Sequence, residues 1–379
     1  MTSVGETPTI NVAENIKNLK PYHPGRPIED VKREYGLQDI IKLASNENPL
    51  GPSAAAVKAM QEACNGVGIY PDGACFTLRR DLSAHFSMDM ETIVVGNGSD
   101  ELIHYLGLAF LEPGDEVVQA QPTFVRYEAA AILGQSRCIS VPLRNHTHDL
   151  DAMADAFTDR TRLVFIANPN NPTGTMNTGA EVNRMLSRLP SRAILVLDEA
   201  YCEYVDRPDY PDSLQLVRDG CNIMVLRTFS KIYGLAGLRV GYGIARPALI
   251  HYINQVREPF NVNLVAQAAA KASLADASQV VRSRKLNGDG KAFYYRSFDD
   301  MGLAYIQSVA NFVMVNVGRP GVEVAKALER QGVIVRAGEP LGMPGFIRVT
   351  IGTPGECERF VRTLKMALGH EDANGRTAF

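Results

Sequence analysis

The sequence lacks three patterns that mark specialised classes of protein. No window approaches eighteen uninterrupted apolar residues, so no membrane-spanning helix is expected. The net charge of −3 shows no basic excess, and nucleic-acid binding therefore gains no support. The start of the chain has no basic segment followed by an apolar run, so neither a secretory signal nor a presequence is indicated. The cytoplasm is the expected location.

Cysteine and histidine patterns exclude two further kinds of site. The six cysteines form no CxxC pair, which fits reduced structural thiols better than disulfides or zinc ligands. His146 and His148 flank a single threonine, but no further ligand cluster accompanies them. We therefore expect no metal site.

The residues that are present predict an α/β fold with a large domain and a smaller one. A chain of 379 residues exceeds the size at which one hydrophobic core usually stops growing. Between about residues 90 and 245, seven short β-rich runs alternate with amphipathic stretches, which predicts a mostly parallel seven-stranded sheet. Residues 247 to 298 resemble a long helix, and three further strand-like runs follow. We assign residues 1–50 to an arm and part of the small domain, 51–285 to the large domain and 286–379 to the small domain.

The most informative motif surrounds Lys231. It lies just beyond an apolar strand, in the sequence TFSKIYGLAGLR, where open α/β sheets bind ligands. A lysine must lose its proton before its amine can form a Schiff base, and nearby positive charge or burial lowers its pKa. Arg239 can supply that charge and pair with a phosphate, to which Thr228 and Ser230 can also donate.

Asp198 and Tyr201 end another apolar run, in the sequence LVLDEAY. Alone, the carboxylate could merely cap a helix. Beside Lys231, it is suited to keep the pyridine nitrogen of pyridoxal 5'-phosphate (PLP) protonated, so that the ring acts as an electron sink. Tyr201 could donate its phenolic hydrogen to the ring oxygen.

Two loops at strand ends add polar contacts. Asn171 lies in the turn-forming sequence ANPNNPTG and can reach the ring oxygen of the cofactor. Ser99 and Asp100 follow the glycines of VGNGSDEL at a predicted helix N-terminus, where free amides and the helix dipole favour a phosphate. Taken alone, either residue could be only an N-cap.

These motifs, together with YPDG at 70–73, resemble the class I/II aminotransferases, and most closely their histidinol-phosphate aminotransferase branch. The resemblance runs from about Leu19 to Leu368 and implies PLP-dependent transferase fold type I. It implies that Lys231 holds PLP as a Schiff base and moves the proton, while Asp198 contacts the pyridinium nitrogen. Asn171 and Tyr201 would contact the ring oxygen. The implied phosphate cup comprises Ser99, Asp100, Thr228, Ser230 and Arg239.

The same resemblance implies contacts around the ring and the substrate. Phe124 occupies the place where this fold stacks an aromatic ring on the pyridine, although the branch often has tyrosine there. Tyr70 would reach the phosphate in a neighbouring subunit, which implies a homodimer. Arg348 would grip the substrate α-carboxylate, since a guanidinium binds a carboxylate with two hydrogen bonds. The distal end of the substrate would meet Tyr22 and Arg336, although Ala337 and Gly338 replace the polar residues that often follow that arginine. Asn48 fits the entrance, and a loop-structuring role is an alternative.

The expected reaction is transamination between L-histidinol phosphate and 2-oxoglutarate in histidine biosynthesis. An aromatic amino-acid aminotransferase shares every quoted motif, and threonine-phosphate decarboxylation occurs among relatives of the branch. A non-enzymatic alternative is a PLP-binding regulator fused to a DNA-binding segment, but no basic extension of helix-turn-helix size precedes residue 20. The expected partners are thus a small amino donor, a 2-oxo acid and a second copy of the chain.

Overall fold

A computed structural model describes residues 10–17, 19, 21 and 25–369. Its strands are β1 (Ile41–Lys42), β2 (Ile93–Gly96), β3 (Glu116–Gln121), β4 (Arg137–Pro142), β5 (Thr161–Ala167), β6 (Ile194–Asp198), β7 (Ile223–Thr228), β8 (Gly241–Ala245), β9 (Tyr305–Ile306), β10 (Phe312–Asn316), β11 (Val333–Ile334), β12 (Arg336–Ala337) and β13 (Phe346–Thr350).

The α-helices lie between and around these strands. They are α1 (Glu14–Lys17), α2 (Ile28–Tyr35), α3 (Ala54–Ala63), α4 (Phe76–Phe86), α5 (Ser99–Phe110), α6 (Arg126–Leu133), α7 (Leu150–Asp155), α8 (Gly179–Leu186), α9 (Ser213–Arg218), α10 (Pro247–Val256), α11 (Leu264–Ala275), α12 (Ala277–Asp300), α13 (Gly321–Glu329) and α14 (Pro354–Leu368). Within the described ranges, no helix is both long enough and apolar enough to cross a membrane.

The seven predicted strands form one sheet, in the order β2-β8-β7-β6-β5-β3-β4. Neighbours from β7 through β4 are parallel, whereas β8 runs antiparallel to both β2 and β7. The central strands are apolar throughout because helices cover both faces. In β5, Val164 and Ile166 pack into one core layer while Leu163 and Phe165 pack into the opposite one. The prediction of a mostly parallel α/β sheet is confirmed.

The predicted long helix after residue 247 is wrong in one respect, because the chain forms three helices there. Pro259 interrupts the first, since proline lacks an amide hydrogen to donate, and Phe260 has a φ of 58°. The side chains of Asn263 and Asp276 then cap α11 and α12 by accepting hydrogen bonds from backbone amides. Local capping therefore divides a stretch whose composition favours helix throughout.

A second sheet lies beside the first, with the strand order β12-β13-β10-β9. Its strands pair in antiparallel fashion and pack against α12, α13 and α14 around a separate apolar cluster. The early strand β1 pairs in parallel with β11. The segment after β1 therefore passes between the C-terminal elements and the carboxyl ends of the large sheet.

Candidate active site

A cavity of about 870 Å³ lies at the carboxyl ends of β5, β6 and β7, and the second sheet closes one side of it. Most of the residues predicted from sequence line this single cavity. They are Ser99, Asp100, Phe124, Asn171, Asp198, Tyr201, Thr228, Ser230, Lys231, Arg239, Arg336 and Arg348.

Lys231 lies three residues beyond the end of β7 and is partly buried in the cavity wall. Its Nζ donates a hydrogen bond of 3.3 Å to the carbonyl of Ser45 and lies 5.7 Å from the centre of the Tyr201 ring. Burial lowers the pKa of Lys231 to about 8, and the positive charges of Arg348 and Arg239 act in the same direction. About a tenth of this amine is thus unprotonated at pH 7, far more than for an ordinary lysine.

Asp198 is the last residue of β6 and is buried. Its Oδ1 accepts a hydrogen bond of 3.2 Å from the amide of Ala200, and its Oδ2 accepts one of 2.8 Å from the hydroxyl of Tyr127. Burial raises the pKa of Asp198 to about 6, because the charged form loses its hydration. Sequence reasoning missed Tyr127, although it lies three residues after Phe124 in a helical stretch.

The cup predicted for phosphate forms where β2 leads into α5. Gly98 has a φ of 83° and lies against Arg239, since a Cβ built on it would come within 2.7 Å of the guanidinium. Arg239 donates to the hydroxyl of Ser230 over 3.3 Å. Asp100 pairs with Arg126, another residue that sequence reasoning missed, over 2.8 Å. The helix amides and Arg239 therefore present positive charge to one end of the cavity.

Arg348 lies in β13 and is held by two segments that are remote from it in sequence. Its Nη1 donates to Oδ1 of Asn171 over 2.5 Å, and its Nη2 donates to the carbonyl of Ala44 over 3.0 Å. The guanidinium also lies 5.1 Å from the centre of the Phe312 ring. Arg336, in β12, is the residue paired with Arg348 across the two antiparallel strands. Two arginines therefore line the same side of the cavity.

Tyr201 is linked to the segment that follows β1. Its hydroxyl accepts a hydrogen bond of 2.9 Å from the side-chain amide of Asn46, which lines the cavity. The backbone amide of Asn46 donates to Thr350 in β13, and its carbonyl accepts from Asn311. Sequence reasoning named Asn48 of the SNENPLGPS loop for the entrance, whereas Asn46 of the same loop is the asparagine that lines the cavity.

Asn48 and Tyr70 are not among the described residues that line the cavity. The amide of Asn48 is buried and donates to the carbonyl of Ile232 over 2.7 Å and to Ser283 over 2.8 Å. This placement favours the loop-structuring alternative for Asn48. Tyr70 is 79% exposed and stacks on Phe260, with ring centres 4.7 Å apart. Tyr22 lies outside the described residues.

The chemistry of these groups fits PLP. A cup of amides and a guanidinium suits its phosphate, a buried carboxylate suits its basic ring nitrogen, and an amine with a depressed pKa suits its aldehyde. Phe124 lines the same cavity and packs edge-on against Tyr127, whose hydroxyl donates to Asp198. In the part of the chain that the structure describes, no group of three or more His, Cys, Asp or Glu side chains is placed to hold a metal ion.

Comparisons with known proteins agree with this geometry. Residues 38–364 match the family described as aminotransferase class I and II. Histidinol-phosphate aminotransferase of Moorella thermoacetica is 52% identical over 94% of this chain and 92% of its own length. Histidinol-phosphate aminotransferase 2 of Carboxydothermus hydrogenoformans is 47% identical over 94% of this chain and 99% of its own.

A solved structure extends the likeness to three dimensions. The crystal structure of histidinol-phosphate aminotransferase from Sinorhizobium meliloti, in complex with pyridoxal-5'-phosphate, superposes with a TM-score of 0.88 at 27% identity. The match covers 96% of this chain and 99% of that one. The likeness therefore spans both sheets and the cavity between them.

Proposed function

Since the chain belongs to the class I and II aminotransferases, we propose that it transfers the amino group of L-histidinol phosphate to 2-oxoglutarate. The products are imidazole-acetol phosphate and glutamate, and the step belongs to histidine biosynthesis. The observation that carries this assignment is the cavity in which Lys231 and Asp198 face a phosphate cup while two arginines line the substrate side. Relatives at 47% and 52% identity carry the matching name.

The cofactor is PLP, which the Sinorhizobium meliloti relative holds in its crystal structure. When bound, PLP supplies an aldehyde that receives the amino group and a ring that accepts electrons from the substrate Cα. We assign its ring nitrogen to Asp198, its ring oxygen to Asn171 and Tyr201, and its ring face to Phe124. The proposed phosphate contacts are Ser99, Asp100, Thr228, Ser230 and Arg239.

Lys231 is the proposed general base and acid. Its Nζ first holds the cofactor covalently and, once substrate has displaced it, moves the proton of the substrate Cα. The pKa of about 8 suits this task, because an amine near that value both accepts and returns a proton at neutral pH. Arg348 contributes twice, since its charge lowers the pKa of Lys231 and its guanidinium faces the same cavity.

The two arginines match the charge of the proposed substrates, because the amino donor and the amino acceptor are both anions. Arg348 is the proposed contact for the α-carboxylate of glutamate and 2-oxoglutarate. Arg336 and Tyr22 are the proposed contacts for the distal end of the donor, including its phosphate. Because β12 and β13 are neighbours in register, the two guanidiniums are held in one layer. Asn48 keeps the entrance loop in place through Ile232 and Ser283.

A second copy of the chain is proposed to complete the site. Tyr70 stacks on Phe260 at the surface, next to Val67, Ile69 and Phe76, which are also exposed. Several large apolar side chains exposed within one short stretch of the chain favour an interface. We propose a homodimer in which Tyr70 reaches the cofactor phosphate of its partner.

Two further predictions from the sequence are part of this proposal. The division of the chain into an arm, a large domain (51–285) and a small domain (286–379) is consistent with the two sheets. Cytoplasmic location is consistent with six cysteines that are all unpaired.

The test is the visible spectrum of PLP-loaded protein, titrated with histidinol phosphate and then with phenylalanine, each without a keto acid. We expect the band of the lysine-bound cofactor to convert to that of the aminated cofactor at far lower concentrations of histidinol phosphate. A stronger response to phenylalanine would instead make the enzyme an aromatic aminotransferase. No conversion with either donor would contradict transamination and favour the decarboxylase alternative.

A further inference from the structure

Tyr127 is a fully buried tyrosine whose hydroxyl reaches the centre of the site. It is the second residue of α6, and its Oη donates a hydrogen bond of 2.8 Å to Oδ2 of Asp198. The other carboxylate oxygen accepts from the amide of Ala200. Both oxygens of Asp198 therefore have a donor that fixes the plane of the carboxylate.

Packing, rather than the hydroxyl, determines where the Tyr127 ring lies. The ring stacks on Phe165 of β5, with centres 4.5 Å apart and planes 6° from parallel. The ring also packs against Phe124, with ring centres 5.7 Å apart and ring planes nearly perpendicular. One side chain thus connects the aromatic ring assigned to the cofactor face with the carboxylate assigned to its ring nitrogen.

The buried surroundings of Asp198 disfavour its charged form, which the hydroxyl of Tyr127 stabilises. Burial raises the pKa of Asp198, and the negative charges of Asp100 and Glu199 add to that effect, whereas the hydrogen bond from Tyr127 opposes it. The pKa of Tyr127 is itself held well above its usual value by burial and by Asp198, so the phenol remains a donor. Other ionisable side chains that line the same cavity include Tyr201, Lys231, Arg239 and Arg348.

We propose that Tyr127 is a positioning residue, which keeps Asp198 ionised and aimed at the ring nitrogen of the cofactor. This inference rests on the proposed function, because it requires PLP in the cavity. A donor that binds the charged form of a carboxylic acid stabilises that form. Without the hydroxyl, a larger fraction of Asp198 carries a proton that must leave before the carboxylate can pair with the pyridinium.

The direction of the pH effect follows from this linkage. Wild-type protein without cofactor loses its carboxylate charge as the pH falls through about 6, the pKa of Asp198, so its affinity for PLP weakens there. In Tyr127→Phe, the pKa of Asp198 is higher, so the same weakening begins at a higher pH. A role limited to packing would leave this pH dependence unchanged.

The experiment is equilibrium dialysis of PLP against cofactor-free protein between about pH 5 and 9, with wild type, Tyr127→Phe and Tyr242→Phe compared. Tyr242 is also fully buried, and among the described residues its hydroxyl has no hydrogen-bond partner. We expect Tyr127→Phe to weaken PLP binding about tenfold at neutral pH, as the loss of one hydrogen bond to a charged group predicts. Its pH midpoint should rise by about one unit, and Tyr242→Phe should match wild type.

A second pair of variants separates the hydroxyl from the ring. In an Asp198→Asn background, Tyr127→Phe should change PLP affinity less than twofold, because no carboxylate is left to stabilise. Unchanged affinity and pH midpoint in Tyr127→Phe would overturn the inference. An equal loss of PLP affinity when Tyr127→Phe is made in the Asp198→Asn background would also overturn the inference. Failure of wild type to bind PLP would overturn the proposed function instead. The two proteins that carry Asp198→Asn contain no charged carboxylate at that buried position. They can therefore still be compared if the single variant Tyr127→Phe unfolds at a lower temperature than wild type.

Discussion

The two sides of the cavity are assembled in different ways. On the side of the large sheet, Asp198 ends β6 and Lys231 follows β7, so each side chain is positioned by a buried strand directly before it. On the opposite side, Arg348 depends on Asn171 and Ala44, which lie 177 and 304 residues away along the chain. The first side is built from local motifs, and the second from contacts between distant segments.

The two sides also differ in how their charges are controlled. Burial is the main cause of the altered pKa of both Lys231 and Asp198, which raises the reactivity of one and the proton affinity of the other. The substrate side instead contributes two guanidiniums that stay charged at any working pH. In the proposed function, the reactive groups thus depend on desolvation by the large sheet, whereas the proposed substrate contacts depend on the register of β12 and β13.

Loss of the reactive amine should produce the largest effect. Lys231→Ala should retain the fold, since the change only shortens a side chain at a loop, but turnover should fall to background because no amine remains to hold the cofactor or move the proton. Far-UV circular dichroism and the transamination rate measure the two quantities. Lys285→Ala is the matched control, since that lysine is exposed on α12. Substantial turnover in Lys231→Ala would contradict the assignment of the whole first side.

Arg348→Lys tests the second side with charge preserved. We expect kcat/KM for 2-oxoglutarate to fall about a hundredfold, because an ammonium cannot replace two parallel hydrogen bonds to a carboxylate. Steady-state kinetics give the value, and Arg362→Lys, an exposed arginine on α14, is the control. A change of less than threefold would mean that Arg348 contributes only its charge.

Arg336→Gln tests whether Arg336, on the second side, contacts the phosphate of the amino donor. The variant should lose about tenfold in kcat/KM for histidinol phosphate, since the phosphate loses one charged hydrogen bond. Phenylalanine lacks that phosphate and provides the control within the same protein. Equal losses for both donors would assign Arg336 to the support of β13 rather than to the phosphate.

A pH measurement can test the electrostatic coupling between the two sides of the cavity. The positive charge of Arg348 helps to lower the pKa of Lys231, so Arg348→Met should raise that pKa above about 8. The rate at which cofactor-free protein captures PLP increases with pH as the amine loses its proton, and the break in this profile should therefore move to higher pH in the variant. Stopped-flow absorbance between about pH 6 and 10 locates the break. An unmoved break would show that the two sides are electrostatically independent.

Asn48→Ala should have the smallest effect on catalysis. The change removes the shorter of two side-chain hydrogen bonds to the carbonyl of Ile232, which keeps only the 3.5 Å bond from the hydroxyl of Ser283. We therefore expect about 1 to 3 kcal/mol of lost unfolding free energy. Urea unfolding measures that loss, while kcat/KM should change less than twofold. A large fall in kcat/KM with unchanged stability would return Asn48 to the substrate contacts.

Sequence predicted residues on both sides of the cavity, and it missed side chains whose placement depends on a tertiary contact. Strand ends and glycine-rich turns are local signals, so Asp198, Lys231 and the cup could be found without tertiary information. Asn46 could not be separated from Asn48, because both lie in the same polar loop and only the contact with Tyr201 tells them apart. Tyr127 resembled an ordinary core residue of α6, since nothing local shows that its hydroxyl meets β6. Similarly, the breaks at Pro259 and Asp276 depended on capping that composition alone concealed.

The hydrogen bond from Lys231 to the carbonyl of Ser45 has a consequence for biosynthesis of the enzyme. The lysine meets a segment translated long before it, and the arginine that helps to set its pKa is translated long after it. A ribosome that has translated residue 300 has therefore produced all seven strands of the large sheet but not β13. Cofactor capture with native kinetics should begin only after synthesis of β13, which makes the absorption of the bound cofactor a reporter of chain completion.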